Sequence, residues 1–346
     1  MNPDRIEGFS VQKRIIIGQN DMSGLVKYGT VLVTGCGGDI GISIGRILRM
    51  SNVCEKLIGC DMLDNHPGAV FFDVCEKVPR ADTDKYFEKL AGIAKKHAVD
   101  LIILVTEPEL KVFHEKGYDR WWNDYPIVMA NPQSLSIGLD KLATANFLKQ
   151  HNLPAPWTVK VSSGPPPVLP CMIKDRFGAG SRSVSLVTGL KVAEELAQTR
   201  PDAIWQEYLY PEDEEYTCGL FRSETGEIRH ITFRRKLQGG LTGNGELVEN
   251  NEIATLLQQI ALFLELTGSI NVQLRCMPNG PFVFEINPRF SSTVMFRHLL
   301  GFQDLLWSLC ESAKVSLPEY KKPTVGTRIY RCAQEVILPE PCFATK

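Results

Sequence analysis

The chain has 346 residues, 44% of them hydrophobic, and its 38 basic and 40 acidic side chains give a net charge of -2. This length and apolar content predict two or three globular domains with substantial cores. Because charges of both signs are interspersed and no apolar run has the length of a membrane span, the composition indicates neither a nucleic-acid partner nor a membrane partner. The N-terminal segment lacks the apolar core of a signal peptide, so we expect a cytoplasmic protein.

The ten cysteines are scattered, and no two form a Cys-x-x-Cys pair. Several of them, such as Cys54, Cys60 and Cys276, lie in apolar or strand-like segments. This distribution is typical of reduced thiols in a core, and it argues against a disulfide framework or a zinc site.

The N-terminal third of the chain alternates strands with helices, although the first thirty residues, including the RIIIG segment at 14–18, have no clear assignment. Buried strands are predicted at residues 30–35, 57–61 and 101–105, and apolar-periodic helices at residues 40–50 and 86–98. Such alternation predicts an open parallel sheet with helices on both faces up to about residue 125.

The glycine-rich turn at residues 34–41 (TGCGGDIG) lets the backbone approach a phosphate, and Asp61 follows at the distance of a ribose-binding acid. The spacing resembles that of short-chain dehydrogenases and sugar epimerases. However, Ile40 replaces the third glycine of the strict dinucleotide motif, and none of the nine tyrosines has the lysine four residues later that this family requires. A nicotinamide-dependent dehydrogenase remains an alternative reading of this turn.

A helix is predicted at residues 141–150 and a strand at residues 158–161, with a Pro-rich loop after it. Two further strands, at residues 170–174 and 183–187, are joined by a loop that contains Gly178, Gly180 and Ser181. Backbone N–H groups of such a loop can bind phosphates while Lys174, at its base, supplies positive charge. A plain hairpin with a flexible tip would explain the same pattern.

The next strand, residues 203–209, runs into an acidic segment at residues 211–215 and then into another strand at residues 216–222. A strand that stops beside a nucleotide can offer its backbone C=O and N–H to the adenine edge, and a nearby carboxylate can accept hydrogen bonds from ribose. The acidic segment is equally compatible with a solvated loop.

The strongest signal is a predicted hairpin with strands at residues 270–275 and 283–287. Alternation places Glu285 and Asn287 on one face and Phe284 and Ile286 on the other. Hard oxygen donors in this arrangement suit Mg²⁺ bound together with substrate phosphates, and Arg289 can reach charge that develops on a phosphate.

The register of this hairpin decides whether Gln273 joins the same oxygen cluster. A two-residue loop at residues 279–280 would place Gln273 opposite Ile286, whereas a loop of odd length would place it opposite Glu285 or Asn287. We predict the odd-length loop. An ordinary surface hairpin with a weak Glu–Arg ion pair is the alternative.

Together these segments resemble the ATP-grasp superfamily, in particular the branch of the carbamoyl-phosphate synthetase large subunit and related carboxylate-amine ligases. The resemblance extends from about residue 30 to residue 302. It depends on the order of five motifs: DK at 140–141, PCMIKDRFGAGSRSV at 170–184, WQEYL followed by EEYT, NVQLR at 271–275 and FEINPRFSS at 284–292.

The resemblance implies a role for each matching position. The implied contacts to ATP phosphates come from Lys141, Lys174 and a flap at residues 178–183, which includes Gly178, Gly180 and Ser181. Backbone groups of Glu207 and Leu209 would bind adenine, and Glu215 would bind ribose.

The same resemblance implies that Mg²⁺ or Mn²⁺ is bound by Gln273, Glu285 and Asn287. Arg289 would stabilise the transferring phosphoryl group, and Arg234 would reach the substrate or the γ-phosphate, with the alignment free to shift by one or two positions. Because Gln273 replaces the carboxylate found in most of the superfamily, one or two metal ions are compatible with this set.

The implied fold class is α/β, with α+β character in the ligase part. It comprises a Rossmann-like preATP-grasp domain with an N-terminal extension (residues 1–125), a two-lobed ATP-grasp domain (126–310, with a lid lobe at about 155–207) and a C-terminal segment (311–346). The last segment holds a strand-like piece at residues 325–329. Substrate groups are expected from the first domain and from Ser291, Ser292 and Arg297.

The implied function is an ATP-dependent carboxylate-amine or carboxylate-thiol ligase that works through an acyl phosphate on small-molecule substrates. A small-molecule kinase on the same fold, a nucleotide sensor that does not consume ATP and the dehydrogenase remain alternatives. The pattern leaves a homodimer open and does not identify the carboxylate or the amine.

Overall fold

The computed structural model describes residues 26–178, 183–333 and 335–337. The segment at residues 14–18 and residues 179–182 of the predicted flap, including Gly180 and Ser181, therefore lie outside the described residues. Among the described residues, no helix combines the length and the apolar character needed to cross a bilayer.

The first sheet contains the strands β1 (Tyr28–Thr34), β2 (Cys54–Asp61), β3 (Val74–Lys77), β4 (Leu101–Ile103), β5 (Trp121–Trp122) and β6 (Tyr125–Val128). Their order is β3-β2-β1-β4-β6-β5, and neighbouring strands are parallel except β5 and β6. The apolar β1 and β4 lie in the middle, where a parallel sheet is covered on both faces. The predicted parallel sheet is confirmed, and the antiparallel edge formed by β5 was not predicted.

The helices of this part are α1 (Asp39–Ser51), α2 (Lys85–Lys96) and α3 (Glu107–Glu115), with a short 3-10 helix at Pro67–Phe71. Side chains of α1 pack on Val31 and Val33 of β1, whereas those of α2 and α3 pack with Leu32 on the opposite face. Helices therefore cover both faces, as predicted. The start of α3 is fixed by a capping box between Thr106 and Glu109.

The second sheet contains β7 (Thr158–Lys160), β8 (Cys171–Lys174), β9 (Ser185–Val187) and β10 (Ile204–Glu207) in the antiparallel order β7-β10-β8-β9. It follows α4 (Pro132–Gly138) and α5 (Lys141–Gln150), has a 3-10 helix at Val161–Ser163 and is covered by α6 (Leu190–Thr199). The small core of this sheet is centred on Trp205, which is fully buried.

The third sheet contains β11 (Glu215–Arg222), β12 (Ile228–Gln238), β13 (Leu241–Val248), β14 (Gly268–Met277), β15 (Gly280–Asn287) and β16 (Arg328–Tyr330), and α7 (Asn251–Phe263) lies between β13 and β14 in the chain. The order is β15-β14-β11-β12-β13-β16, and all neighbours are antiparallel. Apolar side chains of β14 pack with α5 and α7 on one face. The opposite face carries the polar residues of β14.

The hairpin of β14 and β15 differs from the prediction in its turn but not in its main pairing. Met277 pairs with Gly280, so the loop has two residues and the predicted odd-length loop is wrong. The register then shifts at Phe284, which has no partner in β14, and Gln273 lies opposite Glu285 as predicted. A β-bulge therefore supplies the extra residue that we had assigned to the loop.

The C-terminal part of the described chain returns to the first sheet. Two helices, α8 (Val294–Leu299) and α9 (Asp304–Ser312), share a core cluster with α1. After β16, Arg331 donates to Oδ1 of Asp39 at 2.6 Å and to the carbonyl oxygen of Ser292 at 2.5 Å. Our limits at residues 125 and 310 remain a proposal, as do those of the lid lobe.

Candidate active site

A cavity of about 310 Å³ is lined mainly by residues of the second and third sheets, with Ile40 of α1 and Lys141 of α5 at its border. The predicted site residues that line it are Lys141, Lys174, Gly178, Glu207, Leu209, Glu215, Gln273, Glu285, Asn287 and Arg289. Gly180 and Ser181 lie outside the described residues, and Arg234 is not part of the lining. The structure thus brings distant segments together, while the role of each residue remains a prediction.

Three oxygen-bearing side chains of β14 and β15 border this cavity. Gln273 lies opposite Glu285, and Asn287 lies two residues further along β15, on the same face. Oε1 of Gln273 accepts from Nη2 of Arg235 at 2.8 Å, and the side chain of Glu285 is 21% exposed. One carboxylate and two amides are hard donors, so this set fits Mg²⁺ or Mn²⁺ shared with phosphates.

Asn271 adds a hydrogen-bond donor next to the oxygen donors. It pairs with Asn287 across the hairpin, and its Oδ1 accepts from the hydroxyl of Thr217 at 3.0 Å. Its Nδ2 is buried without a hydrogen-bond partner among the described residues. An amide N–H that lines a cavity in this state is available to an oxygen of a ligand.

Lys141 is held at the edge of the cavity by the start of α5. Asp140 caps this helix by accepting from the backbone N–H of Leu142, and its carboxylate also pairs with Arg176 from the loop after β8. Nζ of Lys141 then lies 3.7 Å from Oε1 of Glu285. The cap therefore places a cation beside the carboxylate expected to bind metal.

Lys174, the last residue of β8, is enclosed by neighbouring side chains. Its Nζ donates to Oε1 of Gln206 at 2.6 Å and lies 4.9 Å from the centroid of the Phe284 ring. Burial lowers the pKa of Lys174 to about 8, although the nearby Glu285 carboxylate opposes the shift. Gln206 was not predicted, but its position on the strand before Glu207 could have indicated it.

Phe284 lies on the opposite face from the one we predicted. Strict alternation assigned it to the apolar face with Ile286, but the bulge places Phe284 and Glu285 consecutively in the cavity lining. Val283 and Ile286 remain in the core beneath. The prediction failed because the sequence pattern does not reveal a bulge.

Glu215 is engaged by two arginines. Its Oε1 accepts from Nη2 of Arg235 at 2.8 Å, and its Oε2 accepts from Nη2 of Arg275 at 2.6 Å. Glu212, which we had grouped with the acidic segment, lines the same cavity and accepts only from the hydroxyl of Tyr208 in the described contacts. The carboxylate of Glu212 therefore has more free capacity to accept from a ribose.

Arg235, rather than Arg234, contributes the cation of β12. Arg234 is opposite Tyr216, on the face away from the cavity, where it forms an exposed ion pair with Glu214. Arg235 lines the cavity. Arg234 is therefore not placed at the cavity, and Arg235 fits the shift of one position that the resemblance allowed, because one residue reverses the side-chain direction in a strand.

Arg289 lies at the end of the hairpin and is oriented by a residue of the first sheet's helices. Its Nε and Nη2 donate to Oε1 of Glu107 at 3.1 and 2.8 Å, and its Nη1 donates to the carbonyl oxygen of Phe290 at 3.0 Å. Nothing in the sequence pattern connects Glu107 with Arg289, because the two are far apart in the chain.

Of the three residues expected beyond Arg289, two border the cavity. Ser291 and Ser292 belong to the lining, together with Ile40 from the glycine-rich turn. Arg297 does not, because it is fully buried and forms an ion pair with Asp304 at 3.0 Å. Our expectation that Arg297 contacts substrate is wrong.

The glycine-rich turn does not present Asp61 as a free ribose acceptor. Oδ2 of Asp61 accepts from the backbone N–H of Gly37 at 2.9 Å, and its Oδ1 accepts from that of Leu63 at 3.0 Å. Both carboxylate oxygens thus accept from backbone N–H groups, one in the glycine-rich turn and one in the loop after β2. This arrangement disfavours the dehydrogenase alternative.

A family model described as "ATP-grasp in the biosynthetic pathway with Ter operon" matches residues 199–331, which is less than half of the chain. The match contains β10 to β16 and thus the hairpin of β14 and β15. Comparison with curated protein sequences found no match.

Solved structures share the fold over most of the chain. N5-carboxyaminoimidazole synthetase of Staphylococcus aureus, complexed with ADP, is 17% identical, with a TM-score of 0.66 over 85% of this chain and 79% of that one. Carboxyaminoimidazole ribonucleotide synthase of Aspergillus clavatus, complexed with ATP, is 15% identical, with a TM-score of 0.67 over 87% and 80%. Biotin carboxylase of Campylobacter jejuni, in a β-γ-ATP complex, is 12% identical, with a TM-score of 0.65 over 86% and 74%. At these identities the likeness establishes the fold.

Proposed function

We propose the function from the premise that this chain is a member of the ATP-grasp superfamily. The protein is an ATP-dependent ligase that joins a small-molecule carboxylate to an amine, or to a thiol, and releases ADP and phosphate. The observation that carries the proposal is the convergence of Lys141, Lys174, Glu285, Asn287 and Arg289 on one cavity. These residues come from three separate segments and provide cations and oxygen donors. Phosphoryl transfer requires such groups for positioning and charge neutralisation, and it does not require a nucleophilic triad.

ATP would lie between the second and third sheets. Its adenine edge would meet the backbone of Glu207 and Leu209 at the end of β10, and Glu212 or Glu215 would accept from the ribose hydroxyls. The phosphates would then extend toward Lys141 and Lys174. All these residues border the same cavity, which supports a single nucleotide pose.

The divalent cation would be held by Glu285, Asn287 and Gln273. When bound there with the nucleotide, Mg²⁺ or Mn²⁺ neutralises phosphate charge during transfer. These donors are compatible with one ion or two. The number depends on Gln273, which is an amide instead of a carboxylate and whose Oε1 also accepts from Arg235.

The carboxylate substrate would bind beyond the γ-phosphate, near Ser291, Ser292 and Ile40. One of its oxygens attacks the γ-phosphorus, the bond to the β,γ-bridging oxygen breaks, and ADP departs with that electron pair. The amine then attacks the carbonyl carbon of the acyl phosphate, loses a proton and expels phosphate. Arg289 lies beside this position and stabilises the charge on the transferring group.

A screen of carboxylates and amines for ADP release tests the proposal. With the active carboxylate and no amine, hydroxylamine should trap the acyl phosphate as a hydroxamate. A stable phosphate ester that gives no hydroxamate would indicate the kinase alternative. ATP binding without any turnover across the screen, or binding of a nicotinamide nucleotide instead, would contradict the ligase.

A further inference from the structure

A second group of chemically reactive side chains lies in the first sheet, outside the ATP cavity. Cys36 follows β1 in the glycine-rich turn, His66 precedes the 3-10 helix Pro67–Phe71, and Cys75 lies in β3. We call these three residues the Cys-His-Cys cluster. One ligand atom from each lies within 4.8 Å of the others, and all three residues are buried.

The distance between Cys36 and His66 matches that of two ligands in a tetrahedral zinc site, and Cys75 lies within 4.8 Å of both. Zn–S bonds of about 2.3 Å and Zn–N bonds of about 2.0 Å place a sulfur and a nitrogen on one ion roughly 3.6 Å apart. Sγ of Cys36 lies 3.7 Å from Nε2 of His66. A thiol–imidazole hydrogen bond could give this one distance, but it would not require a second thiol at the same point.

The backbone around the cluster is packed too closely for side chains other than the ligands. A Cβ at Gly59 would lie 2.7 Å from Sγ of Cys36, and one at Gly37 would lie 2.7 Å from Cγ of His66. A Cβ at Gly68 would lie 2.1 Å from the carbonyl oxygen of Cys36. Glycine at these positions lets three segments approach until their donor atoms converge.

The turn that carries Cys36 is also fixed by a residue that is not itself a ligand, Asp61. Asp61 accepts from the backbone N–H groups of Gly37 and Leu63, so it fixes the two loops that present Cys36 and His66. Contacts of this kind, which orient the residues that bind an ion, commonly surround metal sites.

We propose that the Cys-His-Cys cluster binds a zinc ion through Sγ of Cys36, Nε2 of His66 and Sγ of Cys75. Two thiolates and an imidazole are donors that favour zinc over the magnesium expected at the oxygen donors of β14 and β15. The three donors fill three of the four positions of a tetrahedral zinc ion. Because they come from the glycine-rich turn, the loop after β2 and β3 itself, the ion links these segments at the edge of the sheet. The proposal is independent of the ligase function, and it revises our expectation that the cysteines form no zinc site.

Metal analysis of the full chain, purified under reducing conditions without chelator and then supplied with zinc and dialysed, tests this proposal. We expect about one zinc ion per chain in the wild type and almost none in Cys75→Ser. Cys171→Ser, which removes a buried thiol of β8, should retain the zinc, as should Glu285→Gln in the ATP cavity. Replacement of zinc by Co²⁺ should give the near-ultraviolet absorption of thiolate-bound cobalt in the wild type and in Cys171→Ser.

If Cys75→Ser fails to fold, the zinc content and the cobalt spectrum of the wild type test the proposal without the variant. Absence of zinc from the zinc-treated wild type, or a cobalt form without thiolate absorption, would overturn the proposal. Equal zinc in the wild type and a folded Cys75→Ser would do the same. A disulfide between Cys36 and Cys75 in the freshly purified protein, detected by mass spectrometry of its peptides, would instead identify a redox pair.

Discussion

Arg289 and Glu285 contribute opposite charges to the ATP cavity, and each has a defined neighbour. Arg289 is oriented by Glu107, whose side chain is 13% exposed, and Glu285 lies beside Lys141. In the proposed reaction, phosphoryl transfer depends on positioning and charge neutralisation, so the loss of either side chain should weaken the stabilisation of the transition state.

We expect Arg289→Ala and Glu285→Ala each to lower kcat/KM by at least 10²-fold, roughly 2.7 kcal/mol of barrier. Coupled measurement of ADP release with the substrates found in the screen is the assay. Arg234→Ala is the matched control, because Arg234 lies on the other face of β12 and forms only an exposed ion pair. Unchanged turnover in both cavity variants, or an equal loss in the control, would show that the site is misassigned.

Lys174 should make nucleotide capture sensitive to alkaline pH. Its pKa is lowered to about 8 by burial, so the free enzyme loses this positive charge as the pH rises through that value. We expect kcat/KM for ATP to fall above this pH, whereas kcat at saturating ATP should fall less because bound phosphate favours the charged lysine. Steady-state kinetics across pH checks this.

Lys174→Arg is the control for the pH profile, since a guanidinium stays charged throughout the range. If the alkaline fall persists unchanged in this variant, another group causes it. Phe284→Ala should shift the fall to higher pH, because loss of the ring admits water around Nζ.

At the scale of elements, the position of α8 depends on a buried ion pair. Arg297 of α8 and Asp304 of α9 are 0% and 1% exposed and lie 3.0 Å apart. Arg297 also lies over Gly219 of β11, where a Cβ would be 2.6 Å from its side chain. The glycine therefore leaves room for the arginine between the helices and the third sheet.

Arg297→Ala should lower the free energy of unfolding by about 3–5 kcal/mol, because it leaves Asp304 buried without its counter-charge. Urea denaturation followed by circular dichroism measures the loss. The double variant Arg297→Met with Asp304→Leu should lose less than the single one. A larger loss in the double variant would mean that packing, and not the unpaired carboxylate, determines the cost.

The β-bulge in β15 brings both an aromatic and a charged side chain of this strand into the cavity lining. It places an aromatic ring and a carboxylate side by side, so that Lys174 lies over the Phe284 ring and experiences the charge of Glu285. A regular strand would have presented only alternate residues and would have left Phe284 in the core.

At the scale of the whole molecule, the cavity joins parts of the chain that have separate cores. The second sheet contributes Lys174 and Glu207, the third sheet contributes Glu285, and α3 of the first part contributes Glu107 through Arg289. A nucleotide bound there should therefore stabilise the native state of several units together.

We expect MgATP at a hundred times its dissociation constant to raise the free energy of unfolding by about 2.7 kcal/mol. Differential scanning calorimetry with and without nucleotide would detect the increase in Tm. Glu285→Ala should show a much smaller increase at the same MgATP concentration. No stabilisation of the wild type by MgATP would contradict a nucleotide site in this cavity.

The sequence alone determined the alternation of strands and helices in the first sheet and ten of the predicted site residues that line the cavity. Apolar alternation identified β11, β14 and β15 of the third sheet but not β12 and β13, and the polar faces of β14 and β15 indicated Gln273, Glu285 and Asn287. These signals are local, because the period of a strand or helix depends on residues that are neighbours in the chain.

Only the tertiary structure decided which of these residues meet and which neighbours control them. The bulge at Phe284, the choice of Arg235 over Arg234, the burial of Arg297 and the contact of Glu107 with Arg289 all depend on register or on packing between distant segments. Strand register leaves no local pattern, because a shift of one residue reverses the direction of a side chain. Packing between distant segments leaves none either, because long-range contacts have no periodicity in the sequence. The convergence of Cys36, His66 and Cys75 is another result of this kind, because three segments without a shared motif meet only when the first sheet is formed.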